Sequence, residues 1–111
     1  MQGARSMRLS EYQILASRTI NRNHHPDDMA NHGLGLAGES GEVIEHIKKH
    51  CYHGKPLDAD ELLEELGDVL WYVAAIATTA GLHLDQIGDH NIQKLKKRYP
   101  KGFQLGEVGR E

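Results

Sequence analysis

The sequence predicts an all-α protein with a four-helix bundle-like fold, formed by a single domain over residues 1–111. Four segments carry apolar residues at helical spacing, and no segment alternates in the way a strand requires. The three prolines, Pro26, Pro56 and Pro100, all fall between these segments. A chain this short buries a limited fraction of its surface, so we expect oligomerisation to complete the fold. Flexible tails are predicted at about 1–7 and 104–111.

The first helix is predicted to begin at Ser10, which forms an S-x-x-Q capping box with Gln13, and to run to about Ile20. Ile14 supplies one of its apolar contacts. Residues 21–28 are polar and rich in histidine, so they are predicted to form a loop.

The second helix is predicted from about Leu34 to Cys51, with Cys51 as a small apolar residue on its buried stripe. The third begins after Asp58, the N-cap, and ends at Gly81. Because residues 54–57 form a short link, these two helices should be antiparallel neighbours.

In the third helix, the segment around Trp71, Tyr72, Ala74 and Ala75 is apolar on all sides, which indicates a core or a subunit contact. The fourth helix is predicted from about Asp85 to Tyr99, where the following proline stops it.

The charge balance disfavours polymeric nucleic acid as a partner, because 13 basic and 16 acidic residues give a net charge of -3. The single cysteine cannot form an internal disulfide. No apolar run is long enough to span a bilayer, and the N-terminus lacks a secretory h-region. These features predict a soluble, cytoplasmic protein.

Two copies of one acidic unit, E-x-G-[ED]-V-aliphatic, begin at Glu39 and Glu65. Each places two carboxylates three residues apart on one helical face: Glu39 with Glu42, and Glu65 with Asp68. Since both pairs flank the apolar stripes of antiparallel neighbours, all four carboxylates can converge on one cleft. An acidic helix face is usually only solvated, but the duplication favours a site.

Interior glycines accompany both units, although glycine costs about 1 kcal/mol relative to alanine inside a helix. We therefore expect Gly41 and Gly67 to permit close approach of a ligand or of a neighbouring backbone.

Carboxylates without histidine or cysteine partners are suited to Mg²⁺, with Mn²⁺ as a possible substitute. A di-iron bundle would also need E-x-x-H, which this sequence lacks. His46 and His50 share a helical face, but zinc would require a further ligand at suitable spacing.

The acidic units and three longer segments together resemble the MazG-like all-α nucleoside triphosphate pyrophosphohydrolases. The segments are LGLAGESGEV from Leu34, ELGDVLWYVAAIA from Glu65, and NIQKLKKRYPKGF from Asn91. The resemblance implies Mg²⁺-dependent hydrolysis of (deoxy)nucleoside triphosphates to nucleoside monophosphate and pyrophosphate. It implies that the four carboxylates bind metal and that Glu39 or Glu42 accepts the proton of the attacking water.

The fourth helix carries Lys94 and Arg98, which match a basic pair resembling the family's phosphate-binding positions. Asn91, one turn earlier, could contact sugar or phosphate, or could simply face water. Lys48 is a candidate to hold pyrophosphate, although its position at the end of a helix also complements the helix dipole.

Two further candidates concern the nucleoside. Tyr72 matches a position that lies near the nucleoside in some relatives, and burial in its apolar surroundings is the alternative role. Packing is the role predicted for Trp71. His32, placed just before the second helix, is a candidate contact for the base.

These features lead to three hypotheses about function. The first is a homodimeric or homotetrameric pyrophosphohydrolase that controls or cleans the nucleotide pool. The second is a phosphoribosyl-ATP pyrophosphohydrolase, which would share the metal site. The third is a non-catalytic helical interaction module with a structural cation.

Overall fold

The computed structural model describes residues 6–21 and 27–102. Over these residues the chain forms four helices, α1 (Leu9–Ser17), α2 (Asp28–Tyr52), α3 (Ala59–Thr79) and α4 (Leu84–Arg98). The only β-type pairing in these ranges is an isolated bridge between Pro100 and Gly102. The predicted all-α class is confirmed. Residues 1–5 and 103–111, which include most of the tails predicted to be flexible, lie outside the described residues.

The start of α1 differs from the prediction. The helix begins at Leu9 after Arg8, whose backbone N–H donates to Glu11 Oε1 at 3.2 Å. Ser10 is therefore already inside the helix, and the capping box predicted between Ser10 and Gln13 is wrong. The helix also ends at Ser17, before the predicted end.

Gln13 is instead a buried polar link between α1 and the turn before α4. Its Nε2 donates to Leu82 O at 2.9 Å and to Thr78 Oγ1 at 3.1 Å. Its Oε1 accepts from the backbone N–H of Leu84 at 2.8 Å, a group at the start of α4 that has no partner within its own helix. The side-chain amide thereby forms hydrogen bonds with α3 at Thr78, with the following turn at Leu82 and with the start of α4 at Leu84.

The second helix begins at Asp28 rather than near Leu34. Its first turns are largely solvent-exposed, so they lack the apolar repeat by which sequence reasoning locates a helix. Asp28 lies in the first turn, where its negative charge interacts favourably with the positive end of the helix dipole. As a result, His32 lies inside α2 and is 9% exposed, which corrects its predicted position before the helix.

The boundaries of α3 agree with the prediction. Asp58 is the N-cap, and its Oδ1 accepts from Glu61 N–H at 3.1 Å. At the other end, Gly81 adopts φ +76° and donates to Thr78 O, while Leu82 N–H bonds to the carbonyl of Ala77. These two bonds form the Schellman end that a left-handed glycine permits.

Helices α2 and α3 form an antiparallel pair, and α1 packs against α3 and α4. The buried apolar cluster consists of Ala16, Ala74, Ala77 and Leu84, flanked by Tyr12, Trp71 and Val73. The apolar C-terminal half of α3 is thus covered by α1 and by the start of α4. Of the two roles predicted for this segment, the structure supports the core.

Large apolar side chains remain exposed on other parts of the α2–α3 pair. Leu63 is 73% and Ile44 is 63% exposed, and Ile47 and Leu66 are exposed as well. We call these four residues the apolar surface. Cys51 is also exposed, which corrects its predicted burial, because it lies in the last turn of α2, one residue before the helix ends at Tyr52.

Candidate functional site

An open surface cavity of about 410 Å³ lies where α2, α3 and the segment after α1 meet. We call it the acidic cavity. It is lined by Thr19, Glu39, Asp68, Trp71 and Tyr72. One carboxylate from each acidic unit therefore opens onto the same space, beside two aromatic rings.

The close approach of α2 to α3 brings these carboxylates to the cavity. A Cβ atom at Gly35 would overlap the ring of Tyr72, so the tyrosine packs directly on the backbone of α2. Glu39 lies one turn after Gly35 on α2, and Asp68 lies one turn before Tyr72 on α3. Because the helices are antiparallel, the two carboxylates lie at the same level of the pair.

The remaining two carboxylates, Glu42 and Glu65, come about one turn closer to the α2–α3 connection in this register. Glu42 is exposed, whereas the side chain of Glu65 is 18% exposed. Glu65 Oε1 lies 2.8 Å from His46 Nδ1. One ligand atom each from His46, Glu61 and Glu65 lie within 4.8 Å of one another.

Sequence reasoning did not include His46 or Glu61 in this site. A signal was present, because His46 follows Glu42 by four residues and Glu61 precedes Glu65 by four. Residues four apart share a helical face. His46 therefore extends the acidic face of α2 by one turn, and Glu61 extends that of α3.

The interior glycines of the acidic units have open space around them. No atom from another part of the described chain would contact a Cβ at Gly41 or Gly67. The expected approach of a neighbouring backbone within the chain is therefore wrong at both positions. The close approach occurs instead at Gly35, one helical turn before Glu39.

An aromatic cluster forms one side of the acidic cavity. Trp71 Nε1 donates to Thr19 Oγ1 at 2.7 Å, and the rings of Trp71 and Tyr72 meet edge to face with centroids 5.0 Å apart. The ring of His32 lies 6.2 Å from that of Trp71, also edge to face. His32 Nε2 is buried and has no hydrogen-bond partner within residues 6–21 and 27–102.

Tyr12 adds a group from α1 that the sequence did not single out. Burial, and secondly the nearby carboxylate of Asp68, raise the pKa of the Tyr12 phenol above its usual value of 10.0. The hydroxyl therefore remains a neutral group beside Asp68 at physiological pH.

The basic candidates on α4 line a different cavity. This cavity, of about 470 Å³, is lined by His90, Gln93, Lys94, Lys97 and Arg98. Lys94 and Arg98 thus face one space together, but neither lines the acidic cavity. Asn91 is exposed and lines neither cavity.

Lys48 has a partner on its own helix. Its Nζ lies 3.3 Å from Glu45 Oε2, and both side chains are about half exposed. This surface pair does not include a residue that lines the acidic cavity.

Glu39, Glu42, Glu65 and Asp68 offer carboxylate oxygens, the ligands that a hard divalent cation prefers. The structure brings only Glu39 and Asp68 of these four to the acidic cavity. Among the described residues, the side chains grouped closely enough to share one ion are His46, Glu61 and Glu65. The cavity opens to solvent, so it also has room for water and for phosphate oxygens. The fold and this set of side chains define an all-α protein with a carboxylate site between two antiparallel helices.

Comparison with known proteins identifies the family. Residues 29–103 match the MazG nucleotide pyrophosphohydrolase domain, and this match covers more than half of the chain. The protein therefore belongs to the MazG family. It is also 34% identical over 109 residues to the Gene 37 protein of Mycobacterium phage L5, with 90% of this chain and 96% of that protein covered. No solved structure matches the chain significantly. Among the described helices, none is both long and apolar enough to cross a membrane.

Proposed function

We propose that the protein is a Mg²⁺-dependent pyrophosphohydrolase that converts (deoxy)nucleoside triphosphates to nucleoside monophosphates and pyrophosphate. Family membership supports the class of reaction. The observation that carries the proposal is the acidic cavity, where Glu39 and Asp68 open beside Trp71 and Tyr72. Carboxylates suit the metal–triphosphate end of such a substrate, and aromatic rings suit its base.

Glu39, Glu42, Glu65 and Asp68 would hold the metal. Mn²⁺ should substitute for Mg²⁺, because both accept oxygen ligands in similar geometry. When bound, the metal would neutralise phosphate charge and make a water molecule a better nucleophile.

The reaction needs one proton acceptor from the chain. Water attacks the α-phosphorus, the bond from this phosphorus to the oxygen bridging to the β-phosphorus breaks, and pyrophosphate leaves with that oxygen. Glu39 or Glu42 accepts the proton of the attacking water. Both lie on one face of α2, so either carboxylate is available from the same helix.

The aromatic cluster would bind the nucleoside. Tyr72 lines the acidic cavity, and His32 lies behind the cavity wall against Trp71. Nε2 of His32 is a buried polar atom that lacks a hydrogen-bond partner among the described residues, and burying such an atom costs free energy unless a partner is present. We propose a polar group of the base as the partner of this nitrogen.

Homo-oligomerisation is supported by the apolar surface and by the small size of the core. Within the described residues, the buried apolar side chains are four alanines and one leucine. The radius of gyration is 16.9 Å, whereas a compact chain of this length would have about 13 Å. A dimer or tetramer that covers the apolar surface would stabilise the fold by burying Ile44, Leu63 and their neighbours.

Oligomerisation also offers a role for the basic residues of α4. Lys94 and Arg98 line a cavity of their own, so in this proposal they reach the triphosphate bound by a second copy of the chain. Asn91 would contact the sugar or a phosphate from the same helix. Lys48 would assist with pyrophosphate only after leaving Glu45.

The experiment that tests the proposal measures pyrophosphate release from each canonical and damaged NTP and dNTP, with and without Mg²⁺. We expect Mg²⁺-dependent release from at least one nucleotide. Glu42→Gln and Asp68→Asn should abolish it while far-UV circular dichroism remains unchanged. Glu64→Gln is the matched control, since Glu64 is an exposed acid outside both acidic units.

Other outcomes would select the alternatives. Release from phosphoribosyl-ATP but from no NTP or dNTP would identify the phosphoribosyl-ATP pyrophosphohydrolase. Divalent-cation binding without turnover of any nucleotide would favour the non-catalytic module. A stable monomer at micromolar concentration in sedimentation experiments would contradict the oligomeric part of the proposal.

A further inference from the structure

His46 lies at the end of the acidic face of α2, one turn beyond Glu42. Its side chain is 8% exposed, so the imidazole ring is largely removed from solvent. The ring nitrogen Nδ1 lies 2.8 Å from Oε1 of Glu65. A short contact between a buried imidazole and a carboxylate of the proposed metal site calls for a role.

The hydrogen bonds of the ring assign its tautomer. The backbone N–H of Asp58 points at His46 Nε2, at a longer distance of 3.4 Å. A backbone N–H can only donate, so Nε2 is the acceptor and Nδ1 carries the proton in the neutral ring. His46 Nδ1–H therefore donates to Glu65 Oε1.

This bond leaves the two oxygens of Glu65 unequal. Oε1 accepts from His46, whereas Oε2 makes no hydrogen bond to another described residue. A carboxylate that binds a metal is commonly held by a further hydrogen bond, which fixes its orientation.

We infer that His46 is a positioning residue, which holds Glu65 through Oε1 and so fixes the orientation in which Glu65 would bind the divalent cation. The inference rests on the proposed function, because it takes Glu65 as a metal ligand. It extends that function by adding a residue outside the four carboxylates that orients one of them.

A direct role for His46 as a metal ligand is the competing interpretation, since His46, Glu61 and Glu65 lie close together. The tautomer argues against it. A ligating nitrogen must offer a lone pair, but Nδ1 carries a proton and Nε2 faces the N–H of Asp58. With His46 outside the metal's ligand shell, the donor set consists of oxygen atoms and favours Mg²⁺ or Mn²⁺ over zinc.

The test measures Mn²⁺ binding to the full chain without nucleotide, by isothermal titration calorimetry. The proteins compared are the wild type and the variants His46→Ala, His46→Asn, His50→Ala, Asp68→Asn and Glu42→Gln. Loss of a partner that holds a metal ligand typically lowers metal affinity about 10- to 100-fold, so we expect this loss in His46→Ala. Asparagine places an N–H near the position of Nδ1, so His46→Asn should recover most of the affinity.

His50→Ala is the matched control. His50 also lies on α2 close to the connection with α3, and its Nδ1 contacts the carbonyl oxygen of Lys55 at 2.8 Å. If His46 merely stabilised this end of the helix pair, both alanine variants would lower the melting temperature without a specific loss of Mn²⁺ affinity. We expect His50→Ala to bind Mn²⁺ as the wild type does.

Three results would overturn the inference. Unchanged Mn²⁺ affinity in His46→Ala, combined with lost affinity in Asp68→Asn, would remove the role of His46 and leave the proposed metal site intact. Unchanged affinity in Asp68→Asn and Glu42→Gln as well would remove the metal site and the inference together. A directly bound histidine nitrogen, seen as ¹⁴N coupling in pulsed electron paramagnetic resonance of bound Mn²⁺, would make His46 a ligand.

Discussion

The ring of Tyr72 occupies the space in which a side chain at Gly35 would begin. This contact fixes how closely α2 approaches α3 at the acidic cavity. Glu39 follows Gly35 by about one turn, and Asp68 precedes Tyr72 by about one turn. A glycine outside both acidic units therefore permits a close approach of the two helices one turn from these carboxylates.

Gly35→Ala should destabilise the protein. Forcing a methyl group into a packed contact costs about 1–3 kcal/mol, while the better helix propensity of alanine returns about 1 kcal/mol. We expect the free energy of unfolding in urea to fall by up to about 2 kcal/mol. Gly38→Ala is the control, since nothing lies within 4 Å of a Cβ there, and it should leave stability unchanged or raise it by up to about 1 kcal/mol. Equal stability of the two variants would contradict the packing of Tyr72 on α2.

Tyr12→Phe should change the response to alkaline pH. The folded-state pKa of Tyr12 is raised, by burial and then by Asp68, so folding favours the protonated phenol. Its contribution to stability is therefore fully present below the unfolded-state pKa of about 10 and is lost as the pH rises through the folded-state value.

The measurement is the urea midpoint of the wild type and of Tyr12→Phe between pH 8 and pH 11.5. We expect the midpoint of the wild type to fall more steeply above pH 10, because phenylalanine has no proton to lose. Parallel curves for the two proteins would show that Tyr12 does not couple folding to pH.

The α2–α3 pair is the part of the fold that sequence reasoning predicts best. A strong N-cap at Asp58, a glycine at residue 81 and a short link are local signals, and the structure has the corresponding α3 and antiparallel arrangement. The duplicated acidic unit likewise directs attention to Glu39 and Asp68, which line one cavity. Each of these signals depends only on residues close in sequence.

The roles of Gln13, His32 and His46 could not be predicted, because each depends on a distant segment. Gln13 resembles a capping residue until Leu82 and Leu84 fold against it. His32 lies in the glycine-rich first half of α2, where most residues are exposed, yet it is buried, with its ring against that of Trp71. A local pattern cannot reveal the partner of a polar side chain when that partner lies on another helix.

Trp71 should report on nucleotide binding by its fluorescence. It is the single tryptophan of the chain and lines the acidic cavity, so its emission has one source. We expect a non-hydrolysable dNTP analogue with Mg²⁺ to change both the intensity and the emission maximum of Trp71. Pyrophosphate with Mg²⁺ should change them much less, because it has no base to lie against the ring. Equal responses to the two ligands would contradict a base beside Trp71.

Complementation between subunits should show whether Lys94 and Arg98 act on the site of a second copy. Within one chain they line a cavity separate from that of Asp68, so a site that needs both would combine residues from two chains. Asp68→Asn and the double variant Lys94→Ala/Arg98→Ala should each be inactive alone. The two variants are co-expressed with different tags and purified through both tags, which isolates their hetero-oligomer. In this hetero-oligomer, half of the sites would combine intact carboxylates from one chain with an intact basic pair from the other. We therefore expect about half of the wild-type turnover per subunit.

The control for this experiment pairs Asp68→Asn with Glu42→Gln, since both changes then affect the acidic side of the site. Every site in that hetero-oligomer carries a damaged carboxylate set, so no activity should return. If the pair of acidic and basic variants is equally inactive, although each oligomer forms and retains its helicity, the basic residues do not act between subunits. Lys94 and Arg98 would then have to act on the triphosphate within their own chain.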